Sequence, residues 1–196
     1  MYKVTHNIKG VIKAYTLGYW MADKYKSRNS ASIAVHDFVL DVFKQNRLDK
    51  IDKRWIEYAA SKCYDKFNGR YRIDFVIRAL GSNELKPSLS TQLPINILGE
   101  SIAKKLNAEY KPLFLTSNRS SQSRQKLHMS GWKDNRSKLI EMDKLIFNPG
   151  KQADINGIVP GVLIIDDITT SGSTAEGIAN AIHAYYKSYN VHFFSL

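Results

Sequence analysis

Residues Val162–Thr174 read VLIIDDITTSGST, and this stretch decides the fold. Its first four residues, Val162–Ile165, form a short apolar run of the kind that fills a strand covered on both faces. Two adjacent acids follow, Asp166 and Asp167. After Ile168 comes a run of small residues: Thr169, Thr170, Ser171, Gly172, Ser173 and Thr174. Helical patterning then covers Ser173–Tyr186. A strand that ends in acids and enters a helix through such a loop delivers these groups to the carboxyl edge of a sheet, where open α/β sheets bind ligands. The helix N-terminus presents N–H groups and a partial positive charge to an anion. Gly172 lets the backbone approach that anion, and the hydroxyls of Thr170, Ser171, Ser173 and Thr174 add donors. Two carboxylates side by side suit the vicinal hydroxyls of a ribose and help to retain a sugar-bound divalent cation. An ordinary strand–turn–helix connection explains the glycine and some hydroxyls. It leaves unexplained why two acids precede five consecutive small residues, Thr170–Thr174.

Working outward, the same alternation recurs. Ile73–Ile77 is a short apolar run that predicts a buried strand. Pro94–Leu106 places Ile95, Leu98, Ile102 and Leu106 on one helical face, with proline in the tolerated first turn. Leu113–Leu115, Lys144–Phe147 and Val191–Leu196 read as further strands. Strands alternating with helices imply a parallel sheet with helices on its faces. Residues 1–69 read differently, because Val11, Ile12, Tyr15, Tyr19, Ala22 and Tyr25 recur at roughly helical spacing, as do Trp55, Tyr58, Ala59 and Cys63. The expected architecture is therefore α/β: an N-terminal helical extension or hood over 1–69, then an α/β core over 70–196.

With its acids and loop in place, VLIIDDITTSGST resembles the phosphoribosyl pyrophosphate-binding signature of type I phosphoribosyltransferases. The resemblance spans roughly residues 73–196. It implies a parallel sheet flanked by helices, with Asp166 and Asp167 on the ribose hydroxyls and Thr169–Thr174 around the 5′-phosphate. It also implies a pyrophosphate loop after the first core strand. That position holds Arg78, Ala79, Leu80, Gly81 and Ser82, continuing to Glu84. Gly81 and Ser82 suit close backbone approach, and the fork of Arg78 suits a phosphate oxygen. The segment 117–137 falls where the family has its mobile catalytic loop. Arg119, Arg124, Lys126, Lys133 and Arg136 are its candidates to neutralise the leaving pyrophosphate. Within QKLHMSGWKDN, residues Gln125, Leu127, Lys133 and Asn135 resemble the ComF-like branch, associated with DNA uptake. That branch often carries an N-terminal zinc module built from cysteines, and here Cys63 is the single cysteine.

The expected activity is transfer of phosphoribosyl from phosphoribosyl pyrophosphate to a nitrogenous base, with Mg2+ held indirectly at Asp166 and Asp167 through ribose or water. The base would be held by a hood from 1–69, 138–160 or both. The chain ends at Leu196, on the last predicted strand, where relatives commonly continue. That widens the expectation to an unusual acceptor or to no transfer. Two alternatives stand beside it: a non-catalytic sugar-phosphate or nucleotide-binding regulator, and a ComF-like protein that binds nucleic acid. The last draws on charge, since 29 Lys and Arg against 18 Asp and Glu give +11, an excess that attracts polyanions. The apolar runs are far shorter than the ~20 residues of a membrane span, and Met1–Tyr15 lacks a signal-peptide pattern. With one cysteine and no disulfide framework, a cytoplasmic protein is expected, with a homodimer compatible with the reading.

Overall fold

The computed structural model describes residues 2–4, 7–17, 53–81, 84–90, 93–118, 140–141, 144–150, 158–167 and 172–196. The central strand, β7 (Gly161–Asp166), carries GVLIID, and its first five residues are buried. It lies between β3 (Phe75–Arg78) and β8 (Asn190–Ser195), parallel to both. β4 (Glu109–Tyr110) extends the sheet beyond β3, and β2 (Lys13–Thr16) extends it beyond β8, both in parallel. β1 (Tyr2–Lys3) closes the far edge antiparallel to β2. The order is β1-β2-β8-β7-β3-β4.

Alternate residues of the central strands supply two cores. Val76, Leu163, Ile165 and Phe194 pack with α1 (Lys53–Phe67) and α2 (Pro94–Leu106). Phe75, Ile77, Val162, Ile164, Val191 and Phe193 pack with α3 (Ser173–Tyr185). The period-2 geometry of a strand divides its residues between the faces in this way, and both faces are covered. Cys63 is a fully buried residue of the first core, where desolvation raises its thiol pKa far above the usual range. Gly161 begins β7 at a point where a side chain has no room, since a Cβ would lie 1.7 Å from the Arg72 carbonyl oxygen. Asp74 closes that crossing: its Oδ2 accepts the Gly161 N–H at 2.8 Å, and its own N–H donates to the Gly161 carbonyl at 2.8 Å.

The connection β3–α2–β4 moves outward in one direction and β7–α3–β8 in the other. Crossovers of one hand that run in opposite directions put their helices on opposite faces and leave a crevice where the directions diverge. That switch point lies between the carboxyl ends of β3 and β7.

Two expectations are corrected. Val11, Ile12 and Tyr15 do not belong to a helix, because Lys13–Thr16 is a strand pairing with His192–Ser195. The flanking bonds Ile12 N to Val191 O (2.8 Å) and Leu17 N to Ser195 O (2.9 Å) extend this ladder. Without it the backbone groups along that side of β8 would lack partners, so tertiary pairing overrides the local spacing. The expected strand Leu113–Leu115 is instead a single 3-10 turn, Pro112–Phe114, followed by β5 (Leu115–Ser117). Pro112 lacks an N–H and fixes φ, which stops the ladder after β4. β5 leaves the main sheet and pairs antiparallel with β6 (Leu145–Phe147). Tyr19, Ala22 and Tyr25 lie outside the described residues.

Candidate functional site

Asp166 is the last residue of β7, and Asp167 begins the connection to α3; both are half-buried. Alternation along β7 puts Asp166 on the same face as Val162 and Ile164, the face that α3 covers. Its Oδ1 accepts the Asp167 N–H at 2.9 Å, which fixes the carboxylate against the chain that leaves the strand. The loop re-enters at Gly172, which is buried and left-handed (φ 73°, ψ 5°), a conformation that glycine adopts without the cost a Cβ imposes. Its carbonyl accepts the Glu176 N–H at 2.9 Å and so starts the helix. Gly172 has no side chain with which to cap α3, and Ser173 and Thr174 occupy the first turn, half-buried.

The neighbouring strand brings the second group. Arg78 pairs in register with Ile165, and the Ala79 N–H donates to the Ile165 carbonyl at 2.8 Å. The chain leaving β3 through Ala79, Leu80 and Gly81 therefore starts beside Asp166. Arg78 is 2% exposed, and its fork is filled from within: Nη1 reaches Glu84 Oε2 at 2.7 Å and Nη2 reaches Oε1 at 2.8 Å. Nη1 also donates to the Ala79 carbonyl at 3.1 Å. The Gly81 N–H donates to Glu84 Oε2 at 2.7 Å. Burial raises the Glu84 carboxyl, but the bonds from Arg78 and Gly81 outweigh it and hold the group below its ordinary value. Sequence reasoning gave the Arg78 fork to a phosphate; here a carboxylate of the same chain holds it.

Thus the carboxyl ends of β7 and β3 lie side by side, with Asp166 and Asp167 leaving one toward Gly172, Ser173 and Thr174, and with Arg78, Ala79, Leu80 and Gly81 leaving the other. Ser82, Thr169, Thr170, Ser171, Arg124, Lys126 and Lys133 lie outside the described residues. Three participants carried no role in the sequence reading. Glu84 is the first, and its signal was an acid three residues beyond Gly81. Asn96, 2% exposed in α2, is the second: its Nδ2 donates to the Ser88 and Ser90 carbonyls at 2.9 and 2.8 Å. Asn96 Oδ1 accepts the Tyr110 hydroxyl at 2.8 Å, so this residue anchors the segment carrying Glu84. Ser195 is the third, fully buried in register with Asp166, with no partner for its Oγ among the described residues.

Among the described residues, no group of three or more His, Cys, Asp or Glu side chains could hold a metal by itself, and no helix is long and apolar enough to cross a membrane. An open groove of about 910 Å³ between α1 and α2, lined by Tyr58, Lys62, Ile97 and Ser101 among others, contains none of the site residues. The chain matches no protein-family model and no curated protein.

Proposed function

We propose that this protein binds phosphoribosyl pyrophosphate at the switch point and transfers its phosphoribosyl group to a nitrogenous base. The observation that carries the reading is the acid pair Asp166–Asp167 and the left-handed Gly172 entering a 13-residue helix, beside the Arg78–Gly81 turn. The carboxylates bind the ribose hydroxyls. The amides of the first turn of α3, with Ser173 and Thr174, hold the 5′-phosphate. The turn after β3 receives the pyrophosphate. Asp166 and Asp167 suit Mg2+ held indirectly, through ribose oxygens or water, because this ion keeps several waters and substrate oxygens in its coordination. When bound, the ion would neutralise charge on the pyrophosphate. The bond from the anomeric carbon to pyrophosphate oxygen breaks as the bond to the base nitrogen forms, and pyrophosphate leaves with the electron pair. The chain's own part is positioning and electrostatics, with no covalent intermediate on a side chain.

A second reading has a specific observation behind it. The Arg78 fork is already satisfied by Glu84, which suits a protein that binds a sugar phosphate or nucleotide without transferring it. Pyrophosphate release, measured with phosphoribosyl pyrophosphate, Mg2+ and a panel of purine and pyrimidine bases, separates the two. The transferase reading expects release that depends on one base. Binding of phosphoribosyl pyrophosphate with no base-dependent release would favour the binder.

A further inference from the structure

The loop that leaves β3 contains a completed anion site whose anion belongs to the chain. One carboxylate, that of Glu84, receives both terminal nitrogens of Arg78 at 2.7 and 2.8 Å and the Gly81 amide at 2.7 Å. The Ser88 amide adds a longer contact at 3.4 Å. A guanidinium fork converging with backbone amides is the donor set that binds a phosphate group. The two sides of the contact are built differently. Arg78 is the last residue of β3 and is 2% exposed, so its donors are fixed by the sheet. Its Nε is also buried, and no partner meets it among the described residues. The Glu84 side chain is 26% exposed and stands outside any strand or helix. The carboxylate can therefore leave while the Arg78 fork stays. Because Arg78 lies in register with Ile165, this anion site is one strand away from Asp166 and Asp167.

We propose that Glu84 is an internal anion occupying the diphosphate subsite of the switch point, and that a phosphate group of the ligand binds there by displacing it. The inference rests on the sugar-phosphate reading of the site and adds its regulation. With no ligand bound, the buried guanidinium keeps a counter-ion. With a ligand carrying a single phosphate, Glu84 stays in place and the second subsite is closed. Only a ligand bearing a diphosphate competes for Arg78. If the internal carboxylate holds the subsite for about 90–99% of the time, it weakens apparent binding about ten- to a hundredfold.

Calorimetric titration of the full chain tests this with two probes. Ribose 5-phosphate on the wild type reports the sugar-phosphate site. Inorganic pyrophosphate on the wild type, Glu84→Gln and Glu84→Ala reports the subsite. The expected result is that ribose 5-phosphate binds the wild type, and that both variants bind pyrophosphate at least about tenfold more tightly than the wild type. Ribose 5-phosphate binding with unchanged or weakened pyrophosphate affinity in folded variants overturns the role of Glu84 and leaves the site reading standing. No ribose 5-phosphate binding removes the site reading and this inference together. Should circular dichroism show that both variants lose their fold, a crystal structure of the wild type with pyrophosphate decides. Pyrophosphate on Arg78 with Glu84 moved away supports the inference. Glu84 still seated on Arg78, or no pyrophosphate at Arg78, overturns it.

Discussion

A single buried imidazole sets a measurable pH dependence of stability. His192 in β8 is 1% exposed, with ring centroids 4.7 Å from Tyr71 and 5.7 Å from Phe67, and its Nδ1 has no partner among the described residues. Burial first, and then the charge of Lys13 on the adjacent strand, lower its pKa from 6.5 to about 4. A folded pKa below the unfolded one means that the unfolded chain binds the proton more readily. The contribution of His192 is therefore complete above pH 6.5 and is lost as the pH falls through about 4. His192→Phe is expected to reduce the fall in thermal midpoint between pH 6.5 and 4; equal slopes in the two proteins would reject this. The same scale shows what a sequence can and cannot disclose. Asp166, Asp167 and Gly172 were legible because a strand, two acids and a glycine must succeed one another in order. The pairing of Arg78 with Glu84 was not, since it depends on how the chain turns after β3.

Among the elements, helix α2 is the one whose sequence and structure agree most closely, because Pro94 opens it and apolar residues recur on one face up to Leu106. Its ending at Asn107, left-handed at φ 53°, uses a residue that tolerates that conformation. β2 is the opposite case: Lys13–Thr16 becomes a strand because β8 offers it a ladder, a reason that lies some 180 residues along the chain. Buried polar linkage between elements was equally invisible. Asn96 ties α2 to Ser88, Ser90 and Tyr110 through three bonds. Asn96→Ala removes three bonds whose other ends are the carbonyls of exposed Ser88 and Ser90 and the hydroxyl of half-buried Tyr110, each worth about 0.5–1.5 kcal/mol net. A loss of about 2 kcal/mol in urea denaturation is expected, and a change below about 0.5 kcal/mol, the range of neutral surface substitutions, would show that water replaces these bonds without penalty.

For the whole molecule, the sheet order matters most. Strands β3 and β7 lie side by side while their crossovers run apart, so two loops distant in sequence open into one crevice. The +11 charge favours an anionic ligand at any such opening but does not select among polyanions, which is why the selection falls to the site. The central claim is that the acid pair at the end of β7 binds the ribose of phosphoribosyl pyrophosphate. Calorimetric titration with phosphoribosyl pyrophosphate and Mg2+ tests it most directly, comparing the wild type with the double variant Asp166→Asn, Asp167→Asn. Saturable binding to the wild type is expected, with loss of detectable binding in the variant, whose circular dichroism stays unchanged. Unchanged affinity in the folded double variant would contradict it.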